Sequence, residues 1–128
     1  MPAILISLVS CSHLQMGAFA FSTNPTADDP ESIARGRTAF ERNCLGCHGR
    51  DADGRGPDAE GLNAAPTDFT AKSYDKAAWR IAARISIGKG SDMPSFKDKL
   101  PEKTIWDLAN YLHSLKQGQH TDAGASRS

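Results

Sequence analysis

The chain has 128 residues, with 15 Lys and Arg against 15 Asp and Glu, a length that suits one domain. That balance excludes the electrostatic footprint of a nucleic-acid binder, which needs a clustered excess of Lys and Arg, and no run of about 18 apolar residues exists to cross a bilayer. A mean hydropathy of −0.45 fits a water-soluble globule, yet five Phe, two Trp and two Tyr make a thin core for this size, so a bound prosthetic group could supply missing apolar surface.

Met1 to Ala20 contains no Asp, Glu, Lys or Arg, and its apolar stretch from Ile4 to Val9 leads toward Ala18-Phe19-Ala20, a small-x-small cleavage pattern. Residues 1–20 are expected to be a secretory signal peptide that delivers the protein to the periplasm. Leu8-Val9-Ser10-Cys11 also resembles a lipoprotein box, which would anchor the chain at Cys11 instead. Residues 21–30 read as a linker, polar and rich in turn formers.

Asp29-Pro30-Glu31 is a helix start: Asp caps free amides, Pro fits the first turn, and Glu favours the positive end of the dipole. This helix is expected to run to about Cys44, with Ile33, Gly36, the stem of Arg37 and Phe40 on its apolar face. Gly49 to Thr70 is dense in Gly, Pro, Asp and Ala and reads as loop. A second helix is expected over Tyr74–Ile87, with Ala78, Ile81, Ala82 and Ile85 at helical spacing and Gly88 as its stop. A third fits Pro101–Leu115, with Ile105, Leu108, Ala109, Leu112 and Leu115 in one stripe flanked by Trp106 and Tyr111. Residues 118–128, small and polar, are expected to be a disordered tail. No segment has strand periodicity, so the expected fold class is all-α.

The chemistry concentrates in Cys44-Leu45-Gly46-Cys47-His48. Two thiols separated by two residues can add to both vinyl groups of one porphyrin, and the adjacent His is then placed to bind the iron. Three other readings compete. A thioredoxin-like redox pair would sit at a βα junction, and no βαβ pattern is visible. Zinc would need four ligands from Cys44, Cys47, His48, His113 and His120. A disulfide would close too short a loop to stabilise much, and would leave His48 unexplained.

Of Met1, Met16 and Met93, only the last lies outside the expected signal. A loop methionine is ordinarily a gap filler or exposed. Met93 is followed by Pro94, which fixes its own φ and biases Met93 toward extended backbone, so its thioether is a candidate second iron ligand opposite His48. His113 and His120 are the competing ligands.

In these residues the chain resembles class I cytochrome c, over roughly Glu31 to Lys116. The resemblance implies a cytochrome c-like fold, three main helices wrapped around one covalently bound haem c with its iron, spanning 31–117. It matches the family's helix-crossing Gly and aromatic to Gly36 and Phe40, their partners to Leu108 and Tyr111, and its Met-Pro loop to Met93-Pro94. It also implies that a proline carbonyl receives the proximal His, with Pro66 the nearest match and Pro57 the rival. The Met-bearing loop looks like the compact bacterial kind.

The implied function is a periplasmic, monomeric, single-electron carrier and not an enzyme, since His and Met fill both axial positions. Its partners would be redox proteins, a donor dehydrogenase and an acceptor oxidase or reductase. One alternative is a cytochrome subunit of a multisubunit dehydrogenase or oxidase; another is a haem sensor whose Met93 is displaced by a small molecule. Lys72, Lys76, Arg80 and Arg84 recur every four residues. They read as a solvated helix face, as a docking surface extended by Lys89, Lys97 and Lys99, or, for Arg80 or Arg84, as a contact to a haem propionate.

Overall fold

The computed structural model describes residues 23–116; the expected signal peptide, the Cys11 alternative, His120 and the tail lie outside them. Among the described residues four helices follow in order: α1 (Pro30–Asn43), α2 (Leu45–His48), α3 (Ala78–Ile87) and α4 (Glu102–Lys116), with a 3₁₀ turn at Ala59–Gly61. Among the described residues there is no β-strand, only an isolated bridge between Lys89 and Met93.

Helix α1 starts where its cap residues stand, with the Asp29 carboxylate accepting from the Glu31 amide at 3.0 Å and Pro30 in the first turn. It crosses α4 at close range. A Cβ at position 36 would collide with the carbonyl of Asp107 and lie 2.8 Å from Cβ of Tyr111, so only glycine lets the two backbones approach this far. Phe40 extends the contact, its ring 5.5 Å from that of Tyr111. Arg37 does not lay its stem on this face as expected; its side chain is 58% exposed and pairs with Glu41 one turn on. Ser32 and Ala39 take the buried positions instead.

The α4 stripe understates the burial of that helix, since Ile105 to Leu112 are all buried, Asp107 and Asn110 included. The reason lies in the residues expected as a linker. Asn24 accepts and donates hydrogen bonds with Asn110, whose amide also reaches Thr26 and Ser32. The described part of that stretch is therefore tied down and covers the polar side of α4. Asp107 completes the network, accepting from Ser32 Oγ, from Arg35 at 2.9 Å and from Lys103 at 3.1 Å. Burial works to raise the Asp107 carboxyl, but these donors outweigh it and hold it below its ordinary value.

Helix α3 begins at Ala78, four residues later than expected. The intervening chain is held by tertiary contacts: Asp75 pairs with Lys116, and the carbonyl of Lys76 accepts from His113 Nδ1 at 3.1 Å, where a helix would have given it the amide of residue 80. Lys72 and Lys76 consequently precede the helix, and the expected four-residue stripe is not a helix face. Gly88, at φ +73, ends α3 as expected. The chain then doubles back, and the amides of Phe96 and Lys97 and the hydroxyl of Ser95 satisfy the carbonyls of Ile85 and Ser86.

Candidate cofactor-binding site

Helix α1 breaks at Cys44 (φ −126, ψ −20), and the next turn, α2, carries Cys47 and His48 before Gly49 stops it at φ +80. The carbonyls of this turn are taken in sequence by an antiparallel stretch of the following loop. Gly46, Cys47 and His48 accept from the amides of Asp58 (2.8 Å), Gly56 (3.1 Å) and Gly54 (2.9 Å). Gly56 is a contact requirement here, because a Cβ would lie 2.6 Å from the carbonyl carbon of Cys47. Ala52 turns the loop at φ +58 while fully buried, and its carbonyl holds the amide of Phe69.

Cys44, His48, Thr67 and Met93 all line two adjoining cavities of about 400 and 390 Å³. The first opens along Cys47, residues 62–67 and the Met93 loop. The second reaches inward to Phe40, Phe69, Ile81, Ile85 and Leu112, with Tyr74, Trp79, Arg80 and Arg84 along one side. Apolar walls ending in cationic and phenolic groups suit a flat apolar molecule with an anionic edge. Both expected candidates for a propionate contact thus face the inner cavity; Arg80 also lies 5.1 Å over the Trp79 ring, and Arg84 donates to the carbonyl of Gly88.

Cys44 and Cys47 are half-buried and are not paired as a disulfide. Burial, then the neighbouring Cys47, push the Cys44 thiol up to about 12. The His48 ring is packed between aromatics, its centroid 6.3 Å from Phe40 and 5.2 Å from Phe69. Burial lowers its pKa, partly offset by the Thr67 carbonyl, which stands 3.3 Å from Nδ1. The cytochrome resemblance implies Pro66 for that carbonyl, and the structure moves it one residue on. Successive carbonyls of an extended segment face opposite ways; that of Pro66 abuts Gly54, where a Cβ would be 2.6 Å from it, leaving the carbonyl of Thr67 for the ring. Pro66 itself still lines the outer cavity, whereas Pro57 lines neither.

Met93 is fixed through its backbone, exchanging hydrogen bonds with Lys89 at 2.8 and 3.2 Å. His113, the rival ligand, lies outside both cavity linings. Sequence reasoning missed Thr67, Phe69 and Tyr74 as cavity residues, and also the hydrogen bonds from Asn63 and Ala64 to Asp92 across the outer cavity.

The match of residues 31–112 to the family model "Cytochrome C oxidase, cbb3-type, subunit III" covers most of the chain. The chain belongs to this family. A cbb3-type subunit CcoP of Azospirillum sp. is 29% identical over 82% of the chain and 36% of its own length. The Rhodobacter capsulatus CcoP is 34% identical over 73% and 32%, and a nicotinate dehydrogenase subunit of Pseudomonas putida is 32% identical over 74% of the chain and 8% of its own length. The chain spans about a third of the length of the CcoP and FixP relatives it matches. Among solved structures, a chain of the Kuenenia stuttgartiensis reducing HAO-like protein complex aligns with a TM-score of 0.64 at 28% identity, covering 71% of this chain and 46% of the other. This subunit III family member is therefore a class I c-type cytochrome with an all-α, cytochrome c-like fold, and its cofactor is covalently bound haem c with its iron.

Proposed function

We propose that the chain is a one-electron relay module of a larger redox enzyme, carrying its haem on Cys44 and Cys47 and holding the iron between His48 and Met93. The observation that carries this reading is that all four side chains line one outer cavity, while Cys44, His48 and Met93 also line the inner one. Bound haem supplies an Fe(III)/Fe(II) couple that takes up and releases one electron. His48 donates from Nδ1 to the Thr67 carbonyl, which leaves Nε2 as the nitrogen free to ligate. Its burial favours the neutral, ligating form. Phe40, Phe69, Ile81, Ile85 and Leu112 give the inner cavity apolar walls, which would favour the less charged iron state, as would a thioether ligand. With His48 and Met93 both holding the iron, no position would remain for a substrate, and the module would pass electrons without bond chemistry.

The module reading rests on the company the domain keeps. Its relatives are subunits of a cbb3-type oxidase and of a nicotinate dehydrogenase, each much longer than this chain. What two such enzymes can share in this domain is the passage of electrons. The proposal includes a periplasmic location, from the uncharged residues 1–20.

The test is made on the oxidised holoprotein from periplasmic extract. Haem should stay with the polypeptide through denaturing electrophoresis, and Cys44→Ala with Cys47→Ala should abolish that stain. A far-red sulfur-to-iron band should be present and be lost in Met93→Ala, which should also lower the reduction potential and admit carbon monoxide to the reduced iron. If Met93→Ala keeps the band and potential while His113→Ala alters both, the ligand reading fails. Co-purification with a larger enzyme supports the module; a monomer recovered alone from every gentle extraction supports a diffusing carrier.

A further inference from the structure

Asp92 precedes the proposed ligand and has no part in the ligation itself. It is half-buried, and both its carboxylate oxygens are engaged by a loop about 30 residues upstream. Oδ1 accepts from Asn63 Nδ2 at 2.9 Å and Oδ2 from the amide of Ala64 at 3.1 Å, while Asn63 Nδ2 also reaches Ser91 Oγ at 3.4 Å. Asn63 and Ala64 begin the same run that ends at Thr67, whose carbonyl receives His48. A continuous connection therefore runs along the wall of the outer cavity from the His48 ring, through residues 64–67, to Asp92 and so to Met93. Nothing else crosses the outer cavity at this point among the described hydrogen bonds. The backbone hydrogen bonds of Met93 itself go to Lys89, within its own loop, while Ser95, Phe96 and Lys97 tie the far end of that loop to the end of α3.

We propose that Asp92 is a positioning residue, a clasp that holds the Met93 loop against the 63–67 loop and so keeps the thioether seated. This rests on the proposed His48/Met93 ligation. The physical step is a local equilibrium: an outside ligand reaches the iron only in the fraction of molecules whose Met93 has swung away. Its apparent affinity is its intrinsic affinity scaled by that fraction. Charge-assisted hydrogen bonds to a carboxylate that exist only in the closed loop keep the fraction small.

Imidazole is the probe, titrated into oxidised holoprotein at 25 °C and followed by loss of the far-red band. Asp92→Ala should bind imidazole about tenfold more tightly than wild type, and Asn63→Ala, which removes one of the two donors, about threefold. The double variant should bind no more tightly than Asp92→Ala, because both changes open one clasp. A purely structural role would lower the melting temperature yet leave imidazole affinity of the folded protein at the wild-type value, and that result overturns the proposal. Should Asp92→Ala fail to fold, the exposed Asn63→Ala decides alone. Two failures are separable. If Met93→Ala loses the band and binds imidazole far more tightly while Asp92→Ala matches wild type, the clasp is wrong and the ligand right. If Met93→Ala itself behaves as wild type, the ligand assignment falls and the clasp falls with it.

Discussion

On the wall of the cleft that carries Cys44, Cys47 and His48, three consecutive carbonyls are each taken by a backbone amide of residues 54–58, whereas the wall that carries Met93 hangs from the end of α3 and from side chains. The first wall is nearly self-contained in residues 44–58. The second borrows its supports: the carbonyls of Ile85 and Ser86 behind it, Asn63 and Ala64 across from it. A covalent anchor and a dissociable ligand call for this division. The anchored side gains from rigidity, and on the other side the strength of the supports sets how often the ligand lets go.

Gly56→Val strikes the first wall and should be the most damaging change, costing about 3 kcal/mol or more, because the side chain meets the backbone of Gly46 and Cys47 and cannot relax without losing the amide ladder. Thermal unfolding of the holoprotein checks it. A variant as stable as wild type would mean that the ladder contributes little and that the two walls are equivalent.

Asp107→Asn lies behind both walls, at the helix crossing, and should cost about 2 kcal/mol at pH 7 through weakened hydrogen bonds from Arg35, Ser32 and Lys103. The folded-state pKa of Asp107 is lowered, so its stabilisation is complete above the unfolded carboxylate value, about 4, and is lost as pH falls through the folded value. The gap between wild type and variant in urea melts should accordingly narrow below about pH 4. A gap that stays constant down to about pH 2 would remove Asp107 ionisation from the acid limb.

Gly88→Ala addresses the second wall. Position 88 sits at φ +73, and an added Cβ would lie 2.6 Å from the carbonyl carbon of Pro94. The backbone cost alone is about 1 kcal/mol. The sharper mark should be spectroscopic: a weakened far-red band while the haem stays covalently attached. Equal loss of band and fold on heating would show that the Met93 wall has no independent motion.

Much of this was legible in the sequence, wherever the signal was local. Asp29-Pro30-Glu31 and Gly88 punctuate helices by chemistry that needs no tertiary partner. The Cys-x-x-Cys-His run is one turn of chain, and Gly36 betrays a close crossing because a mid-helix glycine is otherwise costly. The errors arise where a distant partner decides. Tyr74 to Ala77 has helical spacing, but Lys116 and His113 claim Asp75 and the carbonyl of Lys76. Residues 23–29 have a linker's composition, yet the polar side chains of Asn24 and Thr26 find Asn110 and Ser32. Thr67 in place of Pro66 turns on which way one peptide faces, and no residue type reports that. Ala52 at φ +58 carries no mark in the sequence, since glycine would be the usual choice there.

The amide ladder also bears on the order of folding. Its three bonds join residues 6, 9 and 12 apart in the chain, so closing them sacrifices little loop entropy, while the Arg35–Asp107 bonds at the helix crossing join residues 72 apart. Short loops close fast, and long-range docking sets the slow step. The segment bearing both thiols and His48 can therefore take its shape before α1 meets α4, and a variant that slows docking, such as Gly36→Val, would leave that turn intact in the unassembled chain.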